Sequence, residues 1–298
     1  MKKTVSYFYV VLGAACWGFI GIFNRMLAAA GATMGDRIVI RNTGSMLLMT
    51  VLFLCFHRQV FRIRPKHFPV FLGSGAVSVV CLGWTYFSCQ MLCSLAVAGI
   101  LLYLAPSFVV LASAVLWKEK LTGRRAVSVL LALLGCALVS GIVGGDLSVS
   151  VKGILLGVGA GLSYASYTVF AHYGLMHYDS FTVIYGTFFV AGMVSLVWCR
   201  PDALKAVLSQ QSGVFGAMGL VVISTVLPYL FYTKGLERVE SGLAAVIANV
   251  EPVVGALVGV TVFHETLTIW SVFGMGLVLL AAVLLAKGED REKKNASE

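Results

Sequence analysis

The chain has 298 residues, of which 59% are hydrophobic and 12% charged, and its formal net charge is +9. Ordinary soluble domains carry roughly 25% charged residues, so water is not the solvent for most of this surface. A balance of +9 invites nucleic acid as a partner, but the placement of Lys and Arg described below points to a lipid bilayer instead.

Apolar runs of near-spanning length, about 17 to 25 residues each, follow one another along almost the whole chain. The first, Tyr7 to Leu27, holds Trp17-Gly18 well inside it. Lys2 and Lys3 before it and Ala28-Ala29-Ala30 after it superficially resemble a cleavable leader. The run is longer than a typical leader core, and Asn24 and Arg25 interrupt the approach to the alanines, so a retained helix is expected. The second run, Ile38 to Phe56, is opened by Arg37 and Arg41, one turn apart on one face. Both can snorkel to the headgroups; alternatively the deeper Arg41 points inward and attracts a carboxylate or phosphate.

The third run, Phe68 to Cys89, carries Trp84 and Tyr86, and the fourth, Ser94 to Trp117, carries Tyr103 and Pro106. Ala126 to Ile142 is the fifth. Gly153 to Gly174 brings Tyr164 and Tyr167, Phe181 to Trp198 brings Tyr185, and Ser212 to Tyr232 is the eighth. The ninth, Ser241 to Phe263, contains Asn249-Val250-Glu251-Pro252, and the tenth is Ile269 to Ala286. Gly288 to Glu298 is short and charged, a disordered cytoplasmic tail by composition. In hydrocarbon the backbone must be satisfied within each segment, and alternating ten-residue strands are absent, so the fold class is an all-α membrane protein with ten transmembrane helices.

The two halves carry one pattern. Tyr86, Pro106, Glu119, Leu121 and Thr122 recur 146 residues later (252 less 106, for example) as Tyr232, Pro252, Glu265, Leu267 and Thr268. Trp17 and Phe23 correspond to Tyr164 and Phe170 at an interval of 147 (164 less 17). The chain therefore divides into a five-helix repeat over residues 1–145 and a second over residues 150–287. Five is odd, so the second copy enters from the opposite side and the repeats are inverted. With the N-terminus in the cytoplasm, sixteen Lys and Arg fall on the inner side and six on the outer. This positive-inside bias predicts a multi-pass protein of the cytoplasmic membrane with both termini cytoplasmic. Basic Trp117-Lys118-Glu119-Lys120 and the uncharged-flank equivalent Phe263-His264-Glu265 differ as opposite orientation requires.

Glu251 lies ten positions into the ninth helix, about 15 Å along its axis and close to the bilayer centre. A carboxylate there costs about 2.5 to 3.5 kcal/mol on insertion scales, so it faces a bundle interior or a wet cavity. Pro252 removes a backbone donor beside it, and broken helices at the midplane are where transporters build their sites. The alternative is a neutral Glu251 that braces the kink and touches no substrate. Pro106 is the repeat partner of Pro252, but Ala105 stands where the second copy has Glu251, and Tyr103 stands opposite Asn249. The charge, and any proton coupling through it, is one-sided.

Trp117, Trp198 and Trp270 fall at segment ends as belt residues. Trp17, Trp84, Tyr86, Tyr103, Tyr164, Tyr167 and Tyr185 lie inside their segments and are candidates for a substrate wall, with Arg41, Asn249 and Glu251 as its polar groups and Pro106 and Pro252 as the helix breaks. Packing is the competing role for each aromatic. Trp17 and Tyr164 are the strongest wall candidates, being repeat-related and flanked by Gly18 and Ala165. The seven cysteines form no CxxC pair and have no nearby His ligands, which makes them packing residues; a Cys89–Cys93 disulfide is the minor alternative. No metal or cofactor is expected, and HExxH and GxSxG are absent. Gly157-xxx-Gly161 and Gly255-xxx-Gly259 permit close helix contact and leave monomer and homodimer open.

Asn249-Val-Glu-Pro-Val-Val-Gly-Ala-Leu followed by Phe263-His264-Glu265-Thr266-Leu267-Thr268 resembles the ninth-helix signature of EamA-type proteins of the drug/metabolite transporter superfamily. Leu104-Ala105-Pro106 and Glu119-Lys120-Leu121-Thr122 resemble its first-repeat counterpart, and Trp17-Gly18 resembles its first helix. The resemblance implies a bacterial cytoplasmic-membrane carrier, commonly an exporter of amino acids, related metabolites or drugs. It also implies a central cavity walled by helices one to four and six to nine, with the fifth and tenth outside. The usual Gly-Glu ending is replaced by Lys118-Glu119 and His264-Glu265. Secondary active transport of small metabolites, amino acids foremost and outward, is the leading expectation. Proton-coupled efflux of lipophilic cations with Glu251 as counter-ion is the alternative, and a non-transporting membrane scaffold, packed shut inside, is the alternative of another class.

Overall fold

The structure, a computed structural model, describes residues 3–93, 95–119, 122–143, 150–264 and 266–295; Lys120, Leu121 and Glu265 of the repeat motif lie outside them. Among the described residues there are helices and no strands. In chain order the longer ones are α1 (Lys3–Gly18 and Ile20–Ala29), α2 (Met34–Phe56), α3 (Pro65–Gln90), α4 (Leu95–Leu102 and Ala105–Leu116), α5 (Gly123–Val139), α6 (Val151–Leu175), α7 (Ser180–Ser195), α8 (Gln211–Leu236), α9 (Ser241–Ala248 and Val250–Phe263) and α10 (Ile269–Asn295).

Among the described residues eight of these are long and apolar enough to cross a membrane, so length and composition support eight of the ten expected spans; α5 and the apolar part of α10 are shorter. Gly123–Val139 has 17 residues, about 26 Å against a hydrocarbon core of about 30 Å, and Arg124 and Arg125 occupy its first turn. The apolar part of α10 stops at Leu284. The helix itself continues to Asn295, so the stretch from Gly288, expected to be disordered, is helical to that residue. Its Glu, Arg and Lys residues are good helix formers and prolong a helix already nucleated.

Local sequence explains the ends and breaks. Thr33 accepts from the Asp36 backbone N–H while the Asp36 carboxylate accepts from that of Thr33, a reciprocal cap that starts α2. Thr122 and Asp179 cap α5 and α7 in the same sense. α4 breaks at Tyr103-Leu104 and α9 at Asn249, each restarting with proline in its first turn, where the missing donor costs nothing. α1 breaks at Phe19, just after Gly18. Wide π-helical turns occupy Gly73–Cys81 of α3 and Val222–Val226 of α8, corresponding places in the two repeats.

Lys118 and His264 sit in the left-handed region, with φ of 54° and 55°. They are repeat partners, and the helix-ending turn is kept at both places without glycine, at a cost of about 1–2 kcal/mol each.

The packing repeats as the sequence does. The ring of Phe170 on α6 lies against Gly73 on α3, and the ring of Phe23 on α1 lies against Gly219 on α8. Only glycine admits a ring this close, and each contact maps onto the other under the repeat interval. α2 and α7, themselves repeat partners, run antiparallel: Arg200, just beyond α7, donates to Thr33 Oγ1 at 2.7 Å and to Asp36 Oδ2 at 2.7 Å, while His57 at the other end meets Asp179 at 3.1 Å. Partner helices of opposite direction make the repeats inverted. α5 and α10 meet through Gly135 and Gly274, each tight against the other's carbonyl. Burial tends to raise the Asp179 carboxyl, but its bonds from Thr182 and His57 prevail and hold it below the usual carboxylate value.

Candidate functional site

Glu251 stands in the first turn of the second part of α9, directly after the break at Asn249. Its Oε2 accepts a hydrogen bond from the Tyr164 hydroxyl at 2.7 Å. Tyr164 presents an edge to Trp17 at 6.0 Å between centroids, so the two repeat-related aromatics expected to share a wall do touch. Trp17 is only 5% exposed and also packs on Tyr229 at 5.3 Å and Tyr232 at 5.4 Å. A cavity of about 210 Å³ runs from this cluster between α1 and α9, with Trp17, Tyr103, Glu251 and Pro252 at its inner end and Arg25 and Phe263 at its mouth. The Arg25 guanidinium lies 3.8 Å over the Phe263 ring.

Arg41 turns inward. Its Nη2 donates to the Tyr229 hydroxyl at 3.4 Å, and its buried Nε has no partner. Arg41 and Glu251 form no ion pair with each other, since Arg41 bonds Tyr229 and Glu251 accepts from Tyr164. Arg37, one turn nearer the end, bonds the Ala32 carbonyl at 3.3 Å. Of the two alternatives for Arg41, the inward one is adopted.

Asn249 is 3% exposed, with Nδ2 unpartnered. It borders a second space, closed down to about 20 Å³, together with Pro106, Val109, Tyr164 and Tyr232. Tyr103 also packs on Cys136 and Val253. Tyr167 lies one layer behind the wall, its hydroxyl 2.6 Å from Thr233 Oγ1 and its ring 4.7 Å from Tyr229.

Three candidates lie elsewhere. Trp84 is 49% exposed and Tyr86 packs with Cys89, Ala98 and Leu101, and neither lines the cavity. Tyr185 meets Phe61 edge to face at 4.9 Å and accepts from Thr50 at 3.4 Å, toward the His57 end of α2. Trp117, expected in the interfacial belt, packs on His172 at 4.1 Å. The cysteines are free, Cys89 and Cys93 included.

Tyr229 was not singled out in the sequence, although it touches Trp17, Tyr167, Phe188 and Arg41. Its repeat counterpart is Gly83, so matching the halves passes over it. The burial of Tyr229 beside the π-helical turn at Val222–Val226 is seen only in the structure. Among the described residues no three His, Cys, Asp or Glu side chains gather as metal ligands would.

The EamA-like transporter family matches residues 4–141 and again residues 151–287. An "Uncharacterized transporter" of Archaeoglobus fulgidus is 29% identical over 294 residues, 96% of this chain and 99% of that protein. The "Uncharacterized transporter YwfM" of Bacillus subtilis is 23% identical over 303 residues, 98% of this chain and 97% of that protein. A solved crystal structure at 18% identity superposes with a TM-score of 0.83, covering 97% of this chain and 99% of that one, a likeness of fold alone.

Proposed function

The chain belongs to the EamA-like transporter family, and from that premise we propose that it is a secondary active exporter of small metabolites, amino acids foremost, working by alternating access between its two inverted repeats. The observation that carries the substrate class is that Arg41 and Glu251 stand on two rings of one cluster: Arg41 bonds Tyr229, Glu251 accepts from Tyr164, both rings pack on Trp17, and the buried Arg41 Nε has no partner. Buried charges are costly unless paired. A zwitterion supplies both partners, its carboxylate to the guanidinium fork and its ammonium to Glu251 and the Tyr164 hydroxyl. Trp17 and Tyr103 offer apolar faces to the remainder. A lipophilic cation, the second reading, is favoured by the aromatic rings around Glu251 but leaves Arg41 unmatched. A scaffold would have no use for a cavity that reaches Glu251.

The test is counterflow in proteoliposomes, with amino acids compared against the same compounds lacking either the amino or the carboxyl group. Exchange is expected to require both groups. Arg41→Gln is expected to weaken amino acid exchange about tenfold to a hundredfold, the value of about 1.5–3 kcal/mol for a charged hydrogen bond. Exchange of carboxylate-free cations that is indifferent to Arg41→Gln would replace this reading with the second.

We further propose that both termini face the cytoplasm, from the sixteen-to-six distribution of Lys and Arg. Reporter fusions in intact cells are expected to place the turn at Lys118 inside and that at His264 outside; both on one side would contradict it.

A further inference from the structure

The two spaces beside Glu251 are images of each other under the repeat interval. Trp17, Gly18 and Gly21 of α1 line the larger one, and their counterparts on α6, Tyr164, Ala165 and Thr168, line the smaller at an interval of 147 (168 less 21, for example). Glu251 and Gly255 of α9 line the larger one, and Ala105 and Val109 of α4, 146 positions earlier (255 less 109), line the smaller. Tyr103 and Asn249, matched at the two helix breaks, cross over: Tyr103 of α4 reaches the larger space and Asn249 of α9 the smaller. The bond from Tyr164 to Glu251 joins the two walls. One wall pattern is thus built twice, once on each side of Glu251, at the interface of the repeats.

What differs between the two walls is bulk. A Cβ added at Gly21 meets nothing within 4 Å, and one at Gly255 meets only the Gly18 carbonyl at 3.7 Å, so packing demands neither glycine, and the space they leave is about 210 Å³. Thr168 and Val109 take their places in the other wall, 4% and 1% exposed, and the space there is about 20 Å³. Thr168 Oγ1 also lies 2.8 Å from the Tyr232 hydroxyl, a bond that Gly21 has no side chain to make. One turn further along the same two helices, His172 and Leu236 line a separate cavity of about 330 Å³ together with Glu237. The Thr168–Tyr232 bond therefore lies between that cavity and the small space.

We propose that the small space is the second half of the substrate path, on the far side of Glu251 from the cavity mouth, and that the Thr168–Tyr232 hydrogen bond, backed by Val109, is the gate between it and the 330 Å³ cavity. When the gate parts, Asn249, whose buried Nδ2 has no partner, meets the substrate. The physical basis is that side chains filling a space hold its walls together by close contact, whereas an unfilled space forfeits those contacts. Thr168 and Val109 supply such contacts to one half, and Gly21 and Gly255 withhold them from the other. Filling the glycine half should therefore make it the half that closes. This rests on the alternating-access reading, but its test uses no substrate, so the path and that reading stand or fall separately.

The experiment places single cysteines at Ile20, in the larger space, and at Ala245, in the smaller, in otherwise cysteine-free protein in open membrane fragments, where both faces meet a water-soluble thiol reagent. In the parent, Ile20→Cys is expected to react and Ala245→Cys, at a position 6% exposed, to be protected. Gly21→Thr with Gly255→Val gives the larger space the side chains of the smaller, and is expected to slow the first and speed the second, each at least tenfold. Tyr232→Phe keeps the ring and loses the hydroxyl of the gate. It is expected to speed Ala245→Cys about threefold to tenfold, the worth of one hydrogen bond, with Ile20→Cys no faster. A filled larger space that leaves Ala245→Cys protected overturns the path, as do both rates rising together, the mark of a loosened fold. Protection kept in Tyr232→Phe overturns the gate. Counterflow by the parent beside an Ala245→Cys protected in every variant leaves alternating access standing and takes the path elsewhere.

Discussion

Glu251→Gln is expected to leave the fold intact and to cut substrate flux about tenfold to a hundredfold, while removing the response of flux to an imposed pH gradient. The amide keeps the size of the side chain and still accepts the Tyr164 hydroxyl bond, seen at 2.7 Å in the parent, so α9 keeps its break. The charge that would meet an ammonium group is lost, and a hydrogen bond to a charged group is worth about 1.5–3 kcal/mol, with about 1.4 kcal/mol per factor of ten. The gradient response should go because Glu251 is the one carboxylate among the described residues lining the cavity, and its repeat counterpart is Ala105. Glu251→Ala should in addition destabilise the protein by about 1–3 kcal/mol, the cost of an orphaned buried hydroxyl. Flux in proteoliposomes with and without the gradient decides it: a Gln variant with parental flux and parental response makes Glu251 a structural brace and ends proton coupling through it.

Trp17→Ala is expected to abolish most transport and to cost about 3–5 kcal/mol of stability, as deletion of a buried Trp does. The sequence alone makes Trp17 a wall candidate. In the structure the indole is also the common neighbour of Tyr164, Tyr229 and Tyr232, so its removal leaves three rings facing a void. Trp17→Phe keeps edge contacts to those rings and should recover much of the stability with less of the transport. Trp198, 37% exposed, should tolerate alanine within about 0.5 kcal/mol. Thermal unfolding in detergent beside flux at matched expression separates the cases. Equal losses at Trp17 and Trp198 would remove Trp17 from the site.

The substrate wall was only half legible in the chain. Trp17 and Tyr164, drawn together by repeat pairing and small neighbours, touch in the structure, and Trp17 and Tyr103 line the cavity that reaches Glu251 while Tyr164 borders the second space. Trp84, Tyr86 and Tyr185 satisfied the same criterion of interior depth yet lie elsewhere. Depth along a helix is a one-dimensional property. Which way a side chain faces is not, and in a membrane helix that is apolar all round no hydrophobic stripe reveals it.

What the sequence by itself determined is the class of molecule: helices from apolar run length, two copies from the 146-residue interval, their inversion from an odd helix count, and the breaks at Pro106 and Pro252 from the lost backbone donor. All of these follow from local backbone and solvation physics. Only the tertiary structure decided that Arg41 turns to Tyr229 and not to the headgroups, that Tyr229 joins the wall, and that Arg125 reaches Glu240, 115 residues away. Those outcomes depend on which helices lie side by side, and burying a charge beside a particular partner is settled by three-dimensional neighbours that no local pattern encodes.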